Sequence, residues 1–236
     1  MEQRHVWVLG ALLLLTTAGG QLHAQSPRIW IGARGGIDIG SLSFDPDTIS
    51  GLTHGSTTGI AIGAEFDYWF SDHFGVSAQP SYVQKGGTTD QTFTLFGTSY
   101  KYSSSYNGSY FEIPILFKIS FGSGNVRPMV FIGPEIGFKL SAKQRVTTSV
   151  TDSTIDIPDS DITSINFGII GGVGATYNVS PTTMIFLEAA YDYGLTNLNA
   201  QYGKDLGGGE VDNQKIFTRD FRITLGVLFG FGKQSE

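Results

Sequence analysis

The stretch YFEIPILFKISF, residues 110–121, puts Phe111, Ile113, Ile115, Phe117, Ile119 and Phe121 on one parity and Glu112, Lys118 and Ser120 on the other. Successive side chains of a β-strand point to opposite faces, so this is the pattern of a strand with one wholly apolar face and one polar, charged face. A helix would scatter both sets around its circumference. The same alternation returns along the chain and predicts eight strands, at about 28–40, 58–70, 74–85, 107–121, 127–140, 164–178, 183–195 and 216–231. Three connections are short and turn-like, at residues 71–73, 122–126 and 179–182. Four are long and polar, at 41–57, 86–106, 141–163 and 196–215. The two kinds alternate strictly, as they must if antiparallel strands run up and down and every long loop leaves from the same end.

Segregation of charge decides which face meets what. When parity is chosen from aliphatic and aromatic residues alone, the apolar face of all eight strands carries no charge, and Arg219 is left at the rim of the last strand. The opposite parity collects Arg34, Asp38, Glu65, Asp67, Lys85, Glu112, Lys118, Glu135, Lys139, Glu188, Asp192 and Arg222, set among Gly, Ser, Asn, Gln and Thr. A Lys or Arg facing the middle of a bilayer costs about 2–4 kcal/mol, whereas the same charge inside a barrel can be paired. The expected fold is therefore all-β, an eight-stranded antiparallel up-and-down transmembrane β-barrel with short periplasmic turns and four long extracellular loops. Aromatics gather near both strand ends, among them Phe70, Phe74 and Phe121 on the turn side and Phe138, Tyr191 and Phe221 on the loop side, as interfacial girdles require. The alternative is a soluble lipocalin-like ligand-binding barrel with the apolar face turned inward. It would expose a surface far poorer in charge than soluble proteins carry, and its Phe and Tyr would overfill so small a barrel.

Composition agrees. The 236 residues include 32 Gly, 17 Phe and 10 Tyr, but only 15% are charged and 40% hydrophobic. A soluble domain is typically about 25% charged, and beyond the N-terminus no apolar run approaches the ~18 residues of a membrane-spanning helix. Residues 1–24 form the expected signal peptide, with Arg4 and His5 preceding an apolar stretch from Val6 to about Thr17 and cleavage after Ala24. Residues 25–236 are then the barrel domain. The absence of Cys removes disulfides and thiol chemistry. A formal charge of -6 leaves no basic patch for nucleic acid.

Four segments carry a family resemblance: QPSYVQKGG (79–87), YFEIPILFK (110–118), GPEIGF (133–138) and FLEAAYDYGLTN (186–197). They resemble the PorT-like outer-membrane β-barrel family of Bacteroidetes-type bacteria, across essentially all of residues 25–236. The resemblance implies an eight-stranded barrel in the outer membrane. For most members it implies no activity, and for a few a link to protein secretion.

A barrel of eight strands is just wide enough for its own side chains to fill. The inward charges are thus expected to pair across the lumen, with Arg34 and Arg222 set among Glu65, Glu112, Glu135 and Glu188, and Lys118 in the same network. The expected function is structural or surface-binding and non-enzymatic, with the lumen closed. A narrow pore, a secretion-associated component and a loop-based hydrolase using His54 with Ser56 or a loop Asp are the alternatives. Long loops on a rigid scaffold are where binding residues concentrate, and Tyr100, Tyr102 and Tyr106 are the candidate contacts there. The expected partners are outer-membrane lipid, the barrel-assembly machinery and an extracellular protein or glycan, with a monomeric chain and no cofactor. The Gly-rich run 168–174 sits in a strand with no helix following, which removes it as a phosphate loop. Asp152, Asp156, Asp159 and Asp161 lack the spacing of a calcium loop.

Overall fold

The structure is a computed structural model that describes residues 28–46, 52–95, 98–148, 151–207, 210–211 and 213–231; the expected signal peptide lies outside them. Among the described residues there are twelve strands: β1 (Arg28–Asp45), β2 (Leu52–Trp69), β3 (Phe74–Ala78), β4 (Ser81–Leu95), β5 (Thr98–Ser120), β6 (Val126–Thr148), β7 (Asp152–Asp156), β8 (Ile165–Ser180), β9 (Thr183–Gly194), β10 (Asp205–Gly207), β11 (Glu210–Val211) and β12 (Lys215–Phe231). All their pairings are antiparallel. The ring closes where β1 meets β12, from Ile29 opposite Phe231 to Asp45 opposite Lys215. Strands β3 and β4 share one place between β2 and β5. They part at Gln79 and Pro80, because proline has no N–H for the ladder. Backbone bonds from the Gln79 amide to Pro114 and from the Ala64 amide to Pro80 carry the wall across the gap. Eight wall positions result, in the cyclic order β1, β2, β3/β4, β5, β6, β8, β9 and β12. Closure leaves no free edge in the eight-position wall among the described residues; β7 pairs on one side only, with β6, and β10 and β11 pair with each other.

The outward parity is apolar over the middle of every wall strand, from Ile31 and Ile62 to Leu187 and Leu225. The acids and bases of the other parity are buried inside. This is the inverse of a lipocalin-like arrangement. At the turn end Phe70, Phe74 and Phe117 stack on the outer surface with ring centroids 6.1–6.5 Å apart. At the other end Arg219 lies over the Tyr193 ring at 3.7 Å and donates to the Gly194 carbonyl, so its charge stays at the rim.

The walls are taller than alternation predicts. Residues 41–45, 52–57, 86–95, 98–106 and 141–148 belong to strands rather than loops. Ser, Thr, Gly and Tyr dominate there, and alternations as short as Leu42 with Phe44 are all that remains of the apolar period. Hairpins β1–β2, β4–β5 and β6–β7 consequently project beyond the apolar band, and among the described residues only the last long connection is mainly irregular, with a two-strand hairpin of its own.

Candidate functional site

From the turn end upward the lumen is layered. Trp30, Met184, Phe186 and Leu228 form an apolar floor, with Trp69 against it. Glycine at 226 is required here, since a Cβ would lie 2.5 Å from the Phe186 ring and 2.3 Å from the Ala33 carbonyl. The Arg34 and Lys118 cations each lie 5.9 Å from the centre of the Phe186 ring.

Above this floor sits the first charge cluster. Arg34 reaches Glu65 at 3.3 Å and Glu188 at 3.1 Å, and donates to Thr224 Oγ1 at 2.8 Å. Lys118 reaches Glu65 at 2.5 Å, Glu188 at 3.0 Å and Asp67 at 3.3 Å. Gln79 donates to Glu188 at 3.4 Å. Beside and above it Leu116, Phe131, Ile170 and Ala190 fill the β5–β9 side.

The second cluster is larger. Lys85 Nζ lies 2.6 Å from Glu112, 3.2 Å from Glu135 and 3.2 Å from Asp220, and pairs with Asp192 as well. Arg222 pairs with Asp38 at 2.9 Å, Glu112 at 2.8 Å and Glu135 at 3.8 Å. Two of these links cross the barrel. Lys85 on β4 and Asp192 on β9 stand four places apart in a ring of eight, as do Arg222 on β12 and Glu112 on β5. They are diametrically opposite, so their side chains meet over the lumen axis. Over them the Tyr106 and Tyr110 hydroxyls hydrogen-bond at 2.7 Å.

Beyond the tyrosines the barrel opens into a cavity of about 530 Å³. Leu42, Phe44, Ile157, Ile162, Leu198 and Ile216 supply its apolar lining, while Gln91, Gln144, Tyr102, Ser104 and Thr89 supply polar groups. Phe44 and His54 stack at 4.9 Å on one wall. Part of the opposite wall comes from outside the strands. Leu198 is buried there because its amide donates to Ile216, its carbonyl accepts from Thr163, and Ile162 bridges to Asn199.

The structure thus brings Arg34, Glu65, Lys118 and Glu188 into one cluster and Glu112, Glu135 and Arg222 into the other. Asp220, one of the best-buried acids, was not among the inward charges read from the sequence, although it shares the parity of Arg222 two residues on. Lys139 stands apart from both clusters, reaching the Ile162 carbonyl and Asp159 at 3.0 Å. The three candidate tyrosines separate, and none is a loop residue. All lie on β5, where Tyr100 is exposed near the tip of the hairpin, Tyr102 lines the cavity, and Tyr106 is buried as part of its floor. Cavity residues Ile162 and Leu198 had no sequence signal, being isolated apolar positions in polar segments.

The four aspartates of the third connection go to separate partners. Asp152 takes two bonds from Arg145, Asp156 faces Lys143 at 3.7 Å, Asp159 pairs with Lys139, and Asp161 accepts from Gln201 and Ser160. Those bonds hold the Asp152 and Asp161 carboxyls below the ordinary carboxylate range.

Among solved structures the fold is similar to that of the outer membrane protein OprG from Pseudomonas aeruginosa, at 14% identity and a TM-score of 0.50 over 89% of this chain and 98% of that one. Neisserial surface protein A follows at 17% identity and 0.37, over 86% and 97% of the two chains. Ail, the attachment invasion locus protein of Yersinia pestis, is at 15% and 0.34, over 86% and 99%. No curated protein matches the chain by sequence. A family model described as an outer membrane protein beta-barrel domain matches residues 23–200. The chain accordingly belongs to the outer membrane protein β-barrel domain family and is a protein of the outer membrane.

Proposed function

We propose that this protein is a non-enzymatic outer-membrane barrel, closed to conduction, that works at its extracellular end as a binding surface. One observation carries the reading: the ion pairs Lys85–Asp192 and Arg222–Glu112 span the full diameter of the lumen. A pore through this level would have to part buried, oppositely charged groups, which costs several kcal/mol per exposed ion in a water-poor interior. The non-enzymatic part is supported by the resemblance to the PorT-like family, which for most members implies no activity. The exposed Tyr100 and the projecting β4–β5 and β6–β7 hairpins suit contact with an extracellular protein or glycan. Affiliation with the PorT-like branch belongs to the same proposal and rests on the four quoted segments. So do outer-membrane lipid and the assembly machinery as its other partners.

Planar-bilayer recordings on the refolded barrel test the closure. The expected result is a silent membrane, and reproducible single-channel steps would overturn it. Binding of the purified barrel to extracellular-matrix proteins and glycans, compared with a variant whose β4–β5 hairpin is shortened by removal of residues 90–103, tests the surface role. Equal binding by both forms would end that part of the reading.

A further inference from the structure

The cavity at the mouth is a different kind of surface from the hairpins that surround it. Its volume of about 530 Å³ lies inside the range of roughly 300–1,000 Å³ typical of small-molecule sites. It is closed from below, because the Tyr106–Tyr110 hydrogen bond and the Lys85 and Arg222 cluster lie under it. Anything entering therefore comes from the extracellular side. The inference therefore rests on the closed-lumen reading given above.

Three features of the lining fix the chemistry of an occupant. Aliphatic side chains from several directions, Leu42, Ile162, Leu198 and Ile216 among them, would remove a hydrophobic body from water. The Phe44 and His54 rings, stacked on one wall, offer a face for another ring. Gln91, Gln144, Thr89 and Tyr102 provide amide and hydroxyl groups that can meet one or two polar atoms. No described lining residue is Asp, Glu, Lys or Arg. A carboxylate, phosphate or ammonium group would lose its water without gaining a counter-charge, which is strongly unfavourable. The charges of the two clusters are already committed to one another below the tyrosine floor, and Lys139 is held by the Ile162 carbonyl and Asp159.

We propose that the mouth cavity is a binding site for a small neutral amphiphile, a ring-bearing alcohol or phenol whose apolar body packs on Phe44, Leu198 and Ile216 while its hydroxyl is held by the amides and hydroxyls of the wall.

The test uses the full barrel in lipid nanodiscs and three probes of one shape: 2-naphthalenemethanol, 2-naphthoate and 2-naphthylmethylammonium. Binding is read by saturation-transfer NMR and calorimetry against empty nanodiscs, which removes partitioning into lipid. The neutral alcohol is expected to saturate, and both ions to bind at least about tenfold more weakly. Thr89→Trp, which fills the cavity from β4, should abolish saturable binding. Phe44→Ala should weaken it about five- to tenfold while the cavity remains open. Heat-dependent gel mobility checks that each variant is a folded barrel; Phe44→Ala serves if Thr89→Trp does not fold. Failure of the alcohol to saturate, equal binding of naphthoate, or unchanged affinity in the folded variants overturns the proposal. Conductance on the same preparation separates the two readings. Channel steps with saturable binding remove the closed lumen and leave the site, whereas a silent bilayer with no binding removes the site alone.

Discussion

The two buried charge clusters are built from the same residue types and are joined in opposite ways. In the lower one two bases face three acids, and Glu65 and Glu188 each touch both Arg34 and Lys118. In the upper one two bases face five acids. Asp192 and Asp220 meet Lys85 alone within 4 Å, and Asp38 meets Arg222 alone, among the described residues. Hydrogen bonding repeats the contrast. Asp67 Oδ1 is the lower cluster's one carboxylate oxygen without a hydrogen-bond partner among the described residues, whereas above it Asp38 Oδ2, Glu112 Oε1, Asp192 Oδ1, Glu135 Oε2 and both oxygens of Asp220 have none. A buried ion pair stabilises little unless its remaining lone pairs are met. The lower cluster therefore acts as a redundant lock on the wall. The upper one is an acid-rich knot held by two cations, and its diametric links close the lumen.

Redundancy predicts which lysine matters more. Lys85→Met leaves Asp192 and Asp220 without a cation and should cost about 3–5 kcal/mol, the usual result of breaking a buried pair from one side. Lys118→Met strands only Asp67, since Arg34 keeps Glu65 and Glu188, and should cost about 2 kcal/mol. Urea unfolding in lipid vesicles, followed by tryptophan fluorescence, measures both, and equal losses would erase the distinction. Removing an acid should differ even in sign. Glu65→Gln takes a partner from two bases and should destabilise by about 2–3 kcal/mol, whereas Asp220→Asn relieves the acid excess and should be neutral or stabilising by about 1 kcal/mol. A large loss in Asp220→Asn would mean that this carboxylate is needed where it stands.

Much of this was legible from alternation, and the reason is physical. Lipid outside and a packed lumen inside impose opposite chemistry on neighbouring residues, so Phe111 to Phe121 cannot be misassigned without exposing Glu112 and Lys118 to hydrocarbon. Partner choice was not legible. That Lys85 meets Asp192 depends on the stagger of strands around the ring, which parity along one strand does not encode. Strand ends were misread for a related reason: above the apolar band both faces of β4 and β5 meet polar surroundings, and the period vanishes. Tyr106 consequently reads as a loop residue, although its hydroxyl roofs the upper cluster. The mouth cavity was the least legible feature, because Leu42, Ile162, Leu198 and Ile216 converge from four separate segments.

The apolar floor offers a smaller perturbation confined to one cluster. Gly226→Ala pushes a methyl against the Phe186 ring and the Ala33 carbonyl, and overpacking of this kind costs about 1–3 kcal/mol. Because Phe186 lies against Arg34 and Lys118, the shift should disturb the lower cluster and leave the Lys85 knot unchanged. Chemical-shift changes in a labelled barrel would show it. Perturbations at Glu112 and Asp192 as large as those at Glu65 and Glu188 would mean that the clusters behave as one unit.

The smallest effect belongs to the exposed Arg145–Asp152 pair on the β6–β7 hairpin, which has the same fork geometry as a buried pair but stands in solvent. Exposed pairs contribute little to stability, so Asp152→Asn should leave barrel unfolding unchanged, in contrast to Lys85→Met, Lys118→Met and Glu65→Gln. Its influence should be local and dependent on pH. The Arg145 hydrogen bonds hold the Asp152 carboxyl below its ordinary value, so the pairing is fully present above the unfolded-state value near pH 4 and is lost as pH falls through the lower folded-state value. Pepsin cleavage within residues 145–152 should thus be slower in the wild type than in Asp152→Asn at about pH 5, and the two rates should converge toward about pH 2. A ratio that stays constant across this range would show that the pair does not hold the hairpin. The contrast between buried and exposed ion pairs would then extend to local order as well as to global stability.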